Sequence, residues 1–190
     1  MGGLPHFTNT QAQQNLKTGY EPIYTNLFEV QIILPTSISE IGTFDPVLLE
    51  KCQKVNLPTY PGFTPVEQRY KYSTRLYIGM PDSTSNKDIS VTFNVNQLQS
   101  GEMDTFSKMK KWYDLAWNNE SGTLSYKHNM LGQIIIYQHD REGKIIRRVT
   151  NMNCQILSFT INSDLQWGGG NTISEVTAKF VADYWMDYYF

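Results

Sequence analysis

The residue types that carry out chemistry are present in this chain, but not at spacings that work. His6, His128 and His139 have no Cys, Asp or Glu at the intervals zinc ligation requires. His139-Asp140 has the composition of half a triad, but it leads into Arg141-Glu142-Gly143, where a solvated hairpin turn is the plainer reading. No Gly-x-Ser-x-Gly elbow occurs, and Gly168-Gly169-Gly170 precedes a strand pattern instead of the helix N-terminus that binds phosphate. Cys52 and Cys154 are isolated, which suits buried thiols in a reducing compartment better than a disulfide or a metal site. Asn119-Glu120-Ser121 matches a glycosylation acceptor by chance, because no secretory leader precedes it. The carboxylates are scattered, and none pairs with another for acid–base work. The expectation is a protein that is not an enzyme and holds no cofactor.

One stretch remains with chemical character. Arg69, Tyr70, Lys71, Tyr72, Arg75 and Tyr77 interleave cations with aromatic rings between Glu67 and Ile78, and no apolar face is evident there. Three readings fit: a solvated hairpin with edge-protecting charges, an arm that packs on another subunit, and a platform on which bases stack. Only Arg69, Lys71 and Arg75 are basic, Glu67 and Asp82 flank them, and the net charge of the chain is -2. Those facts weaken the third reading.

The elements that must position these residues are mostly strands. Aromatic residues make up 13% of the chain and include 12 tyrosines, which suits strands and interfaces. Residues 1–24 are polar and aperiodic and read as a flexible or partner-ordered arm, leaving 25–190 as a single domain. Thr25 to Leu34 alternates as a strand, and Val47 to Val55 makes a second with poorer alternation. Pro58, Pro61 and Pro65 keep the start of the 57–80 stretch out of a central sheet position. Ile89, Val91, Phe93 and Val95 alternate with Ser90, Thr92, Asn94 and Asn96, the cleanest half-buried strand.

Residues 100–118 switch to helical spacing, with Ser100 as cap. Met103, Phe106, Met109, Tyr113, Ala116 and Trp117 fall on one side, Asp104, Ser107, Lys108 and Lys111 on the other. Leu131 to Gln138 and Lys144 to Thr150 form a hairpin, and Asn153 to Ile161 a further strand. Ser174 to Trp185 closes the chain as one strand, with Val176, Ala178, Phe180, Ala182 and Tyr184 inward. The aromatic tail, with Tyr188, Tyr189 and Phe190, follows it. The fold class is therefore mainly β: an antiparallel β-sandwich or barrel with one packed α-helix and a projecting extended arm. No leader and no run of 18 apolar residues occurs, so a soluble cytoplasmic product without a membrane anchor is expected.

Taken in order, these segments resemble the tail tube proteins of tailed bacteriophages. The resemblance rests on Asn26-Leu27-Phe28-Glu29-Val30, Cys52 running into Leu57-Pro58, and Arg75 and Gly79 before Lys87-Asp88-Ile89-Ser90-Val91-Thr92. The hairpin Tyr137 to Arg148, the aromatic Trp167 and the closing Val176 to Asp183-Tyr184-Trp185 complete it, from about Asn26 to Trp185. It implies a virion tail protein, made in the host bacterial cytoplasm, whose hexameric rings stack into a tube that conducts DNA during ejection. The implied partners are other copies of the chain, a tape-measure protein and DNA in the channel, baseplate and tail-terminator proteins, and a sheath in contractile tails. Ser90, Thr92, Asn94 and Asn96 would then line the lumen; without the resemblance, an ordinary solvent face is the plainer reading of them. The 57–80 arm and Tyr188, Tyr189 and Phe190 would make inter-subunit or inter-ring contacts. Longer segments before Thr25, at Thr36 to Pro46 and after Trp185 suggest a tube-initiating or baseplate relative as a second implication.

Overall fold

The computed structural model of the protein describes residues 24–38, 48, 51–71, 73–81, 87–95, 104–118, 120–161 and 174–190. The expected N-terminal arm before Tyr24, most of the 36–46 loop, Tyr72, Asn96, Ser100, Met103, Trp167 and Gly168 to Gly170 lie outside the described residues. In chain order the elements are β1 (Phe28–Ile33), β2 (Cys52–Val55), β3 (Phe63–Tyr70), β4 (Ser73–Pro81), β5 (Asp88–Asn94) and α1 (Asp104–Ala116). They continue with β6 (Trp117–Asn118), β7 (Thr123–Leu124), β8 (Gly132–His139), β9 (Ile145–Ile161), β10 (Glu175–Val181) and β11 (Tyr184–Tyr189).

Strand β9 serves two sheets. Its first half pairs with β8 on one side and β11 on the other, and β8 pairs onward with β1. Its second half pairs with β10, which continues to β5 and then β2. Every pairing is antiparallel. The change of sheet occurs around Asn153, whose φ of 55° is left-handed. Asn tolerates that region better than most side chains, and a strand that bends there turns a sandwich corner. The sequence pattern breaks at this point, which is why two strands were expected where one kinked strand exists.

The two sheets face each other across one core. Val30, Ile136 and Val149 form one inward row of the first sheet, and Ile32, Ile134 and Asn151 the next. Opposite them, β5, β9 and β10 supply Ile89, Ile156 and Phe180, then Val91, Phe159 and Ala178. Asn151 is accommodated because its Nδ2 donates to the Ile134 carbonyl at 3.2 Å. Cys52 and Val55 pack against this core although they are three residues apart, because β2 is bulged between Cys52 and Lys54. The strand expected over Val47 to Val55 is thus only Cys52–Val55, with Leu48 and Lys51 helical, and the helical residues together with the bulge account for the poor alternation.

Helix α1 also packs into this core. Its buried line is Thr105, Met109 and Trp112, so the face is rotated from the expected stripe of Phe106, Tyr113, Ala116 and Trp117. Trp112 lies 5.0 Å from the Phe180 ring, and its Nε1 donates to the Met130 carbonyl at 2.9 Å. Phe106 and Tyr113 instead meet Phe159 edge-on, each at 5.5 Å. The helix ends at Ala116 and not at Asn118, because Trp117 and Asn118 pair with Leu124 and Thr123. Asn118 Oδ1 accepts the Glu120 and Ser121 N–H groups, and Gly122 supplies the positive φ of that turn.

The closing strand also differs from expectation. Val176, Ala178, Phe180 and Ala182 are buried as the alternation predicts, but the strand stops at Val181. Ala182 and Asp183 carry the chain across to the other sheet, so Tyr184 is exposed and the aromatic tail becomes β11. Asp183 fastens this crossing. Its N–H donates to the Met152 carbonyl at 3.1 Å, and its carboxylate accepts Lys127 Nζ at 2.6 Å and Asn153 Nδ2 at 3.1 Å. Lys127 holds the Asp183 carboxyl below the usual carboxylate range. One carboxylate thus ties together both places where the chain changes sheet.

Candidate functional site

The residues with catalytic potential are occupied structurally. His139 Nδ1 lies 3.2 Å from the Gly143 carbonyl, and Asp140 Oδ1 accepts the N–H groups of Glu142 and Lys144, so both belong to the β8–β9 turn. His128 stacks on Tyr126 with ring centres 5.9 Å apart. Burial pushes the Cys52 and Cys154 thiols up to about 12, where little thiolate exists at neutral pH. Among the described residues no group of three or more His, Cys, Asp or Glu converges for a metal. No helix among them is long and apolar enough to cross a membrane.

The features that stand out are surfaces. Strands β3 and β4 pair along their whole length, from Phe63 opposite Pro81 to Tyr70 opposite Ser73. Among the described residues they pack on each other and on no other element to a comparable extent. Gly79 permits this pairing where β3 bulges at Thr64, since a β-carbon there would collide with the Thr64 carbonyl. The interleaved cations and aromatics do not form one site. Tyr70, Arg75 and Tyr77 share one face, with the Arg75 guanidinium 5.4 Å from the Tyr70 ring centre and the Tyr70 and Tyr77 hydroxyls hydrogen-bonded. Arg69 points to the other face, where it lies 3.7 Å from Glu67, and Lys71 is in the turn between the strands.

That second face holds what the sequence reading missed. Pro65, Leu76, Ile78 and Met80 share it, with Ile78 80% and Met80 87% exposed. The signal was available in the period-two spacing of Leu76, Ile78 and Met80, and the neighbouring charges obscured it. The expectation of no apolar face is therefore corrected: the hairpin carries an exposed apolar stripe.

The outward face of the second sheet is polar throughout, with hydroxyls and an amide among charges of both signs. Ser90, Thr92 and Asn94 lie side by side on β5, facing Lys179, Thr177 and Glu175 of β10 in register. Thr92 and Thr177 hydroxyls meet at 3.0 Å, and Ser158 and Thr160 of β9 extend the face. Lys54 and Lys179 are offset by Asp88 and Glu175. The sheet has two edges without a described strand beside them, β2 and the second half of β9. Asn56 prolongs the β2–β5 pairing through its side chain, which accepts the Ser90 N–H and donates to the Asp88 carbonyl at 3.2 Å. On β9, Leu157 is the extra residue of a bulge and is exposed, as is Ile161.

The terminal aromatics belong to the first sheet. Tyr188 is on its outward face under the Arg148 guanidinium at 4.8 Å, and the Phe190 N–H donates to the Ile146 carbonyl. Tyr189 is on the opposite face beside Arg147 and Asp187. The Asp187 side chain is only 4% exposed. It accepts Arg147 Nε at 2.9 Å and Nη2 at 2.6 Å, the Tyr60 hydroxyl at 2.6 Å and the Tyr189 hydroxyl at 3.2 Å.

No family model matches the sequence, and no curated protein does. Solved structures match over nearly the whole chain. A chain of the PVC sheath–tube complex, an extracellular contractile injection system in its extended state, is 16% identical with a TM-score of 0.57, covering 93% of this chain and 97% of that one. A chain of the tube-terminating cap of the anti-feeding prophage is 15% identical with a TM-score of 0.58, covering 91% and 95%. A chain of the six-fold symmetrised baseplate of the same particle is 8% identical with a TM-score of 0.57, covering 90% and 97%. With its antiparallel sandwich, its helix α1 packed into the core and its β3–β4 hairpin, the chain has the tail-tube-like fold that its resemblance implied.

Proposed function

We propose that this protein is a structural subunit that assembles with its own copies into hexameric rings, which stack into the tube of a phage tail. The reading is carried by the second sheet, which combines a hydroxyl- and amide-rich outward face of balanced charge with two edges that no described strand covers. Pairing β2 of one copy with the second half of β9 of the next would remove both edges and close a barrel around a channel. Ser90, Thr92 and Asn94 would then face the lumen, a surface that does not hold phosphates as a lysine-rich wall would. The β3–β4 hairpin is the inter-ring contact, because an isolated two-stranded hairpin is marginal in water and this one exposes Leu76, Ile78 and Met80. Arg69 borders that stripe, Tyr70, Arg75 and Tyr77 present the opposite face of the hairpin and Lys71 its turn, and Tyr188, Tyr189 and Phe190 offer a second contact. In this reading the tube surrounds a tape-measure protein and later DNA, ends on baseplate and terminator proteins, and in a contractile particle carries a sheath.

The cap and baseplate chains match as well as the sheath–tube chain, so a tube-end subunit is the second reading. Counting copies of this chain per assembled particle separates the two. For the main proposal, electron microscopy of the purified protein is expected to reveal six-membered rings or tubes. A monomer that persists at high concentration and forms neither would overturn it.

A further inference from the structure

We propose that Tyr60, Asp187 and Arg147 form a latch that sets the direction of the β3–β4 hairpin and closes only when β11 is docked. Asp187 occupies an inward position, in register with Val149 and in the same row as Ile136 and Val30. An apolar residue would satisfy that position for packing alone. A carboxylate there needs donors, and it has three side chains from three places in the chain. Arg147 comes from two residues along the neighbouring strand and is itself steadied by Gln138 Oε1 at 3.3 Å. Tyr189 comes from β11 itself, and Tyr60 comes from 127 residues away, just before the hairpin begins.

The Tyr60 contact has a second component. Its ring meets Trp185 edge-on at 4.7 Å, so β11 holds the tyrosine by both ring and hydroxyl. The connection from Tyr60 to β3 is only two residues, Pro61 and Gly62, and a residue preceding proline is confined to extended conformations, so Tyr60 itself has little backbone freedom. Fixing Tyr60 therefore fixes the point from which β3 starts, two residues on, and narrows the directions it can take. The hairpin has no other extensive support among the described residues, so this root determines where its apolar stripe points. Displacing β11 removes Asp187 and Trp185 together, and the root loses both attachments at once. The latch is a property of the single chain and stands whether or not copies assemble into a tube.

Hydrogen exchange read by mass spectrometry on the full chain tests it, comparing wild type with Tyr60→Phe and Asp187→Asn. Tyr60→Phe keeps the ring on Trp185 and removes only the hydroxyl of an exposed side chain, so its folding is not at risk. Exchange over residues 59–66 is expected to quicken about fivefold or more in both variants, while residues 145–152 of β9 in Tyr60→Phe keep the wild-type rate. Unchanged exchange at 59–66 in Tyr60→Phe would overturn the latch. So would an Asp187→Asn response confined to β9 and β11, which would make Asp187 a local structural residue.

Discussion

Asp187 has opposing influences on its carboxyl group. Burial pushes its pKa up, while the Arg147 guanidinium and the Tyr60 hydroxyl push it down by more, leaving it below the ordinary 3.8. The pairing therefore stabilises the fold fully above that unfolded value, and the stabilisation is lost as pH falls through the lower folded value. Asp187→Asn is expected to cost about 2–3 kcal/mol at neutral pH, because it leaves Arg147 largely buried without its anion. Urea unfolding of both proteins between pH 2 and 7 should find the gap closing below about pH 4. At the other end of the core, Gly132 has no room for a side chain: an added β-carbon would come within 2.6 Å of the Trp112 ring and 2.7 Å of the Ile33 carbonyl. Gly132→Ala should destabilise by about 1–3 kcal/mol by overpacking, read as a lowered denaturant midpoint with an unchanged slope. Asn153 provides a third residue-scale test, since both its left-handed backbone and its bond to Asp183 are used. Asn153→Ala is expected to lose about 1–2 kcal/mol, and Asn153→Gly less, because glycine restores the backbone freedom.

Among the elements, legibility in the sequence followed how local each cause was. The inward faces of β5 and β10 were plain because every second residue is apolar and both faces keep one character. Helix α1 was recognised, but its face was placed one residue off, because Trp112 and Thr105 point inward and Phe106 and Tyr113 reach sideways to Phe159. Strand β11 was invisible because it puts a carboxylate where a core residue is normal. The cation that permits this lies 40 residues away on β9. The shared strand β9 was read as two because its bend depends on a corner that local pattern does not encode. The lumen candidates Ser90, Thr92 and Asn94 lie together on one face, while the arm candidates divide between two faces and the turn, with an unforeseen apolar stripe beside Arg69. That division gives the hairpin its own prediction. Replacing Glu67 to Ile78 with a two-residue turn should leave the thermal midpoint within a few degrees, because little of the body rests on the hairpin. Rings should still form but not stack; long tubes from this variant would remove the hairpin from the inter-ring role.

For the whole molecule, the proposed tube, with this charge-balanced face in its lumen, carries a prediction about DNA. Cosedimentation at about 0.15 M salt should find no retention of duplex DNA by wild-type tubes. Tubes carrying Ser90→Lys and Thr92→Lys should retain it with a steep salt dependence. The strand order also has a kinetic consequence. Before residues 175–189 join, the described sheet strands form two disconnected pieces, β1–β8–β9 and β2–β5. Strands β10 and β11 unite them, with β10 between β9 and β5 and β11 along the remaining edge of β9. Until then each half-sheet leaves backbone hydrogen-bonding groups unpaired beside apolar rows, the condition that favours misassociation. A nascent chain that has emerged only as far as residue 161 is therefore a set of adhesive fragments and not a smaller domain. Its protection from misassociation depends on how quickly residues 175–189 follow it out of the ribosome.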